Sequence, residues 1–309
     1  MYSIRKVSIG TANFNQNYGA ISNNEVFTLK KINKILKDSK KLKINTLDTS
    51  YTYDSVEKKL GKSNLKNWKV ITKLPKLDLN NNLIQDQIFK YALSSIKRLN
   101  IKYLDSILIN DVSQIFSKNG DEIINSLYKL KKEGITKKIG FSVYFPKETK
   151  KLLEIFTPDI IQIPYSIIDR RFEKNNLIKK IYNKNIKIYA RSVFLQGLLL
   201  TSSLERDKYF NKRWKKTFSF WDNYLKKNNL DPVEVCLSYV LKNKYIHKAI
   251  VGLDSQKKVE STIKVLKKKI IFPKNFCDDE NLLIPYRWKI KSMQLYLSIL
   301  YGKSINQNG

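Results

Sequence analysis

The 309-residue sequence contains one histidine, two cysteines, seven prolines and ten glycines. A lone histidine, His247, excludes a metal centre built on several imidazoles. Cys236 and Cys277 are too few for a disulfide framework or a Cys-rich zinc site. No window approaches the roughly 18 uninterrupted apolar residues of a membrane-spanning helix. The opening segment MYSIRKVSIGTANF has no apolar core of the signal-peptide kind. A cytoplasmic chain without a membrane partner is therefore expected. Acidic residues are scarce as well, 27 against 59 Lys and Arg, for a net charge of +32.

That charge is the usual footprint of a nucleic-acid binder, but its detail points elsewhere. Only eight of the 59 basic residues are Arg, the side chain suited to bidentate phosphate and base contacts. The lysines are spread along the chain, with short clusters at 137–138, 215–216 and 267–269 and no basic arm. Solvated helix faces are the favoured reading, and no nucleic-acid partner is expected. With 42% apolar and 12% aromatic residues, the chain has ample material for a core.

What is present is an alternation of two patterns. Short apolar, β-branched runs at 7–10, 46–50, 70–74, 104–110, 138–143, 160–165, 186–192 and 248–252 read as buried strands. Between them lie stretches of helical apolar spacing. Residues 24–38 place Val26, Leu29, Ile32 and Ile35 on one face, and 83–99 place Ile84, Ile88, Ala92, Leu93 and Ile96. Residues 122–134 end at a glycine suited to a helix C-terminus. Eight strands alternating with helices predict a single-domain (β/α)8 barrel over 1–272. A doubly wound sheet is the runner-up, but the G-x-G-x-x-G fingerprint is absent. So are the P-loop, G-x-S-x-G and H-E-x-x-H signatures. Residues 273–309 read as a C-terminal extension that packs on or near the barrel mouth, helical around 293–301.

Barrel chemistry sits where strands end, so the polar residues there are the candidates. They are Asp48, Lys73, Asn110, Ser142, Gln162, Arg191, Ser192 and Gly252. A strand-end Asp and a strand-end Lys, each costly to bury alone, make each other plausible as a pair. Tyr53 follows Asp48 by five residues and can lie over them. A phenol ionises near pH 10, and an adjacent ammonium lowers that value toward general-acid work near neutrality. Phe14, Tyr18, Tyr51 and Trp68 are candidates for an apolar or sugar-stacking pocket wall.

These residues resemble the aldo/keto reductase superfamily along most of the chain. DTSYTYDSVEKKLGK resembles its D-T-A-x-x-Y-G-x-x-E-x-x-L-G signature, and ITKL its lysine strand. IKRLNIKYLDSILIN, KKEGITKKIGFSVY, DIIQIPYSIIDRR, ARSVFLQGLLL and IVGLDSQKKVESTI follow in the family's order. The resemblance implies Asp48, Tyr53 and Lys73 as three of a catalytic tetrad for reversible carbonyl reduction. It implies a nicotinamide cofactor against Gly10, Thr11, Ser142, Gln162, Arg191 and Ser192, with Leu195, Gly197 and Leu198 near the pyrophosphate. Gly252, Ser255, Lys258 and Thr262 fall on the family's adenosine side, where Lys258 favours NADP(H) over NAD(H).

One departure bears on activity. The family's fourth tetrad member is a histidine after strand four, and here that position is Asn110. An amide can donate to a substrate oxygen but does not titrate. The expected function is NADP(H)-dependent carbonyl reduction or alcohol oxidation of a small, sugar-like substrate, with reduced activity a consequence of Asn110. The alternative is a catalytically weak or inactive dinucleotide-binding barrel serving as a sensor or partner-binding protein. His247 does not match the motif and reads as packing.

Overall fold

The eight apolar runs form strands: β1 (Val7–Gly10), β2 (Thr46–Asp48), β3 (Lys69–Leu74), β4 (Ser106–Ile109), β5 (Ile139–Ser142), β6 (Ile160–Pro164), β7 (Lys187–Arg191) and β8 (Ile246–Val251). Each pairs in parallel with its sequence neighbours, and β8 returns to β1, closing the barrel. The structure, a computed structural model, describes residues 4–14, 27–80, 83–210, 213–253, 270–273 and 277–288. Among these, no helix is long and apolar enough to cross a membrane.

Strand alternation divides the side chains into layers. Ile71, Leu108, Ile160, Tyr189 and Ile250 form a separate buried cluster that fills the barrel axis. Two residues further along the same strands or just past them, on the same face, stand Lys73, Asn110, Gln162, Arg191 and Gly252. The apolar layer thus floors a polar one at the C-terminal ends of the strands. The alternate strand residues, such as Ile107, Ile161 and Ile188, point outward into the larger core beneath the helices.

Helices α1 (Leu29–Lys41), α2 (Asp54–Gly61), α3 (Ile84–Leu99), α4 (Gly120–Lys132), α5 (Pro146–Ile155) and α6 (Leu177–Asn183) supply that outer layer. They are followed by α7 (Ser203–Phe210), α8 (Lys215–Lys227), α9 (Pro232–Lys242) and the short α10 (Glu280–Leu283). Thr28 caps α1 by accepting from the Lys31 N–H, so this helix starts later than the apolar spacing suggests. Its buried face is Ile32, Ile35, Leu36 and Ser39, while Leu29 is exposed; Val26 lies outside the described residues. In α3 the buried face runs through Ser95 and Leu99, leaving Leu93 in water. Past α4, Gly134 has φ +74°, the left-handed backbone that ends a helix.

His247 lies within β8, which begins at Ile246, two residues before the start at 248 that the sequence suggests. The β7–β8 register shifts between Ile188 and Tyr189, and His247 Nδ1 accepts the Ile188 N–H at 3.1 Å. Its ring stacks on Tyr182, and burial lowers its pKa, with Lys187 and Lys6 adding to the effect. The imidazole repairs a bulge in the ladder and lies away from the strand ends that carry the polar layer.

The described part of the C-terminal segment packs on loops that follow β5, β6 and β7. Arg170 donates to the Pro273 carbonyl, Lys174 pairs with Asp278, and Trp214 Nε1 donates to Asp279 at 2.8 Å. Tyr286 meets Tyr144 edge-on, and Leu282, Leu283 and Trp288 are buried. The expected helix at 293–301 lies outside the described residues.

At the opposite end of the barrel, Lys248 is half-buried near Lys69, Lys138 and Asp105, and its Nζ donates to the Arg5 carbonyl. Burial first, then the two lysines, push its pKa down from 10.5 to about 8. The folded value lies below the unfolded one, so between those two pH values the unfolded chain binds more protons and stability rises with pH. Lys248→Met should therefore raise unfolding stability at pH 7 by about 1 kcal/mol, after discounting for water screening. The gain should vanish as pH approaches 10.5, as chemical denaturation across that range would show.

Candidate active site

The polar layer surrounds an open cleft of about 740 Å3, its mouth included. Asp48, Tyr53, Lys73 and Asn110 all line it. Lys73 comes from β3 because it lies two residues beyond the axial Ile71; Asp48 ends β2; Asn110 directly follows β4. Tyr53 caps the N-terminus of α2, with its carbonyl accepting from the Val56 and Glu57 N–H groups.

Asp48 gathers the site around itself. Its Oδ2 accepts from Lys73 Nζ at 2.7 Å, and its Oδ1 accepts from Gln162 Nε2. Its backbone carbonyl takes both the N–H and the hydroxyl of Thr11, at 2.9 and 3.0 Å. Lys73 also donates to the Thr49 carbonyl at 3.1 Å. Both ions are buried, at 6% and 7% exposure, so neither could be left alone cheaply. Burial lowers the Lys73 pKa, Asp48 opposes this, and Arg191 pushes in the same direction as burial.

The residues expected around a dinucleotide divide into two groups. Gly10, Ser142, Arg191, Ser192 and Gly252 line the cleft. Thr11 and Gln162 are fully buried and bond Asp48, with Gln162 Oε1 left without a hydrogen-bond partner. Leu195 and Leu198 turn into the core, and Gly197 has φ +89°. Ser192, Leu195 and Gln196 also have left-handed backbone, at φ +57°, +47° and +56°. Each such non-glycine residue costs about 1 kcal/mol, and strain of this kind concentrates at functional sites. Ser255, Lys258 and Thr262 lie outside the described residues.

Arg191 does not extend a free guanidinium over the cleft. It stacks on the Tyr144 ring at 4.0 Å and donates to the Val143 carbonyl at 2.9 Å. Tyr144 thus stands beside Arg191 in the cleft wall. Phe14 instead stacks on Phe27, Trp68 is buried in the core, and Tyr51 packs beneath Arg98. Tyr18 lies outside the described residues.

Sequence reasoning passes over Asn13, Ser50 and Gln196, which also line the cleft. Both amide atoms of Asn13 and the Oε1 of Gln196 are buried without a hydrogen-bond partner. Gly252 makes room for Asn13: a Cβ there would lie 3.1 Å from the amide nitrogen. The available signal is spacing alone, since Asn13 follows β1 by three residues and Gln196 stands alone among leucines.

The Asp48–Lys73 pair yields a stability test. Asp48→Asn removes one partner of a buried ion pair and should cost about 3 kcal/mol in denaturant unfolding. Adding Lys73→Met to that variant should recover part of the loss, because no uncompensated charge then remains buried.

Known proteins agree with this architecture. A relative from Escherichia coli (strain K12), the NADH-specific methylglyoxal reductase, is 32% identical over 131 residues, which cover 42% of this chain and 39% of that protein. The chain thus matches only about two fifths of that relative's length. L-Galactose dehydrogenase of Arabidopsis thaliana is 26% identical over 252 residues, covering 74% of this chain and 75% of that enzyme. The holo form of an aldo-keto reductase from Bacillus halodurans superposes with a TM-score of 0.69 over 98% of this chain and 94% of its own. At 18% identity that likeness speaks for the fold alone. A model of the Aldo/keto reductase family matches residues 6–273, so this chain, an oxidoreductase barrel, belongs to that family.

Proposed function

We propose that the protein transfers hydride between NADP(H) and the carbonyl or alcohol carbon of a small, oxygen-rich substrate. The observation that carries this reading is the buried Lys73–Asp48 pair opening on the same cleft as Tyr53. A reduced nicotinamide, when bound, supplies the hydride. The cleft suits such a group because Asn13 and Gln196 present buried amide atoms that a ligand can satisfy. Gly10, Ser142 and Ser192 would hold it from the strand ends, and the strained turn around residues 195–197 would meet its phosphates.

The chain's own groups do the proton work. Tyr53 gives its phenolic proton to the substrate oxygen as negative charge develops there. The Lys73 ammonium favours the phenolate left behind, and Asp48 keeps Lys73 charged and oriented despite burial. Asn110 donates an amide N–H to the same oxygen without changing protonation state. The segment after residue 273 bounds the substrate side, beside Tyr144.

Support for an oxygen-rich substrate comes from the cleft wall, where Asn13, Ser50, Asn110 and Tyr144 offer polar contacts. The two relatives named for methylglyoxal and L-galactose fit that class. Lys258 in the segment after β8 supports NADP(H). The relative described as NADH-specific favours the other dinucleotide. Fluorescence titration with NADPH and NADH separates the two; tighter NADH binding overturns the NADP(H) assignment.

Asn110 also supports a second reading, a dinucleotide-binding barrel with little turnover. Asn110→His should raise kcat on a carbonyl panel and add an ionisation near pH 6.5 to the rate profile. An unchanged rate and substrate range would mean that Asn110 makes no bond to the substrate oxygen. Tight dinucleotide binding without detectable hydride transfer across the panel would favour the second reading.

A further inference from the structure

Two charged residues belong to the motifs that carry the family resemblance yet have no part in the chemistry above. Glu57 lies one helical turn after Tyr53, and Arg98 lies near the end of α3. Glu57 is completely buried. Its Oε2 accepts from Arg98 Nε at 2.8 Å, from Arg98 Nη2 at 2.5 Å and from Ser95 Oγ at 3.0 Å. Its Oε1 accepts from Thr72 Oγ1 at 2.7 Å.

Thr72 is the residue before Lys73 on β3. Strand alternation sends the Lys73 side chain into the barrel and that of Thr72 out toward α2 and α3. Fixing Thr72 from outside therefore fixes the backbone from which Lys73 projects. The same carboxylate sits on the helix that Tyr53 begins, and the Glu57 N–H bonds the Tyr53 carbonyl at 3.0 Å. Arg98 closes the third side: Nη2 donates to the Tyr51 carbonyl at 3.4 Å, and the guanidinium covers the Tyr51 ring at 4.0 Å. Tyr51 in turn donates its N–H to the Lys73 carbonyl.

We propose that the Glu57–Arg98 pair is a positioning device, which holds Tyr53 and Lys73 at their working separation by tying α2, β3 and the loop between β2 and α2 to one buried carboxylate. This rests on Tyr53 as the proton donor. The bond to Thr72 and the Arg98 contact with Tyr51 join the pair to the segments that carry Lys73 and Tyr53. Burial raises the Glu57 pKa while Arg98 opposes it, and the Glu57 charge favours the charged form of Lys73. Geometry and electrostatics therefore act in the same direction on the Lys73 side.

The test uses three variants of the full chain, with kcat, KM, dinucleotide Kd and the pH profile of kcat as readouts. Tyr53→Phe comes first: it should abolish reduction while leaving dinucleotide Kd unchanged, and surviving activity would sink the Tyr53 reading itself. Glu57→Gln should lower kcat roughly 10- to 100-fold, the scale of a small misplacement of reacting groups, with Kd within about twofold. Thr72→Val removes one hydrogen bond and no charge, so it serves if Glu57→Gln fails to fold. A looser clamp separates the ammonium from the phenol, which raises the Tyr53 pKa and moves the basic limb of the reduction profile to higher pH. Thr72→Val should therefore show a several-fold lower kcat together with that upward displacement. Loss of melting temperature in a folded variant, with kcat and pH profile as in the parent, would overturn the proposal.

Discussion

A carboxylate placed inside a barrel has to be answered on both oxygens, and the arrangement around Asp48 follows from that requirement. Lys73 and Gln162 answer the two carboxylate oxygens, and Thr11 answers the backbone carbonyl. Three strands or their extensions, β1, β3 and β6, thus converge on one residue of β2. The apolar layer of Ile71, Leu108, Ile160, Tyr189 and Ile250 below excludes water and makes the convergence obligatory. The same dryness lowers the Lys73 pKa, so the ammonium depends on Asp48 for its charge. A strong local field at the cleft floor and a high cost for losing either partner have this one origin.

That requirement also explains how much of the site is legible in the sequence. Asp48 and Lys73 can be paired on paper because two buried charges of opposite sign need each other. Eight β-branched runs separated by helical spacing identify the barrel, since their ends fall where polar residues begin. Spacing does not say which aromatic faces the cleft. Phe14, Tyr51 and Trp68 look equivalent to Tyr144 in the sequence, yet of these four Tyr144 alone lines it. Whether a loop side chain turns inward depends on contacts from distant segments, such as Arg191 stacking on Tyr144. Asn13 and Gln196 escape sequence reasoning for a related reason. Their signal is an unanswered amide in a buried place, and burial is a property of the fold.

Helix boundaries show the same division. The spacing of Ile32 and Ile35 identifies the buried face of α1, but Thr28 decides where the helix begins, by capping the Lys31 N–H. His247 is packing, as its mismatch to the motif suggests. Its specific use, filling a gap that the β7–β8 register shift opens, depends on strand pairing that no local pattern encodes. Gln162, expected beside a cofactor, supports Asp48 through its Nε2, a use no local pattern encodes, and its Oε1 is buried without a partner.

The excess of lysine takes on a definite meaning once the helices are in place. Basic residues occupy the last turn of α1, α2, α3, α4, α6, α8 and α9. Helix C-termini carry partial negative charge, so each such lysine contributes about 0.3–1 kcal/mol at low ionic strength. In a parallel barrel those ends lie near the strand N-termini, opposite the cleft. Part of the basic excess therefore stabilises helix ends on the face away from the cleft. Lys248 shows the limit of that strategy, since crowding by Lys69 and Lys138 at this end adds to burial in depressing its pKa. Among the described residues that line the cleft, the cations are individually held: Lys73 by Asp48, and Arg191 by Tyr144 and the Val143 carbonyl. Under the proposed function, recognition and catalysis would draw on those placed charges, while the lysine coat would set the long-range potential through which an anionic ligand approaches.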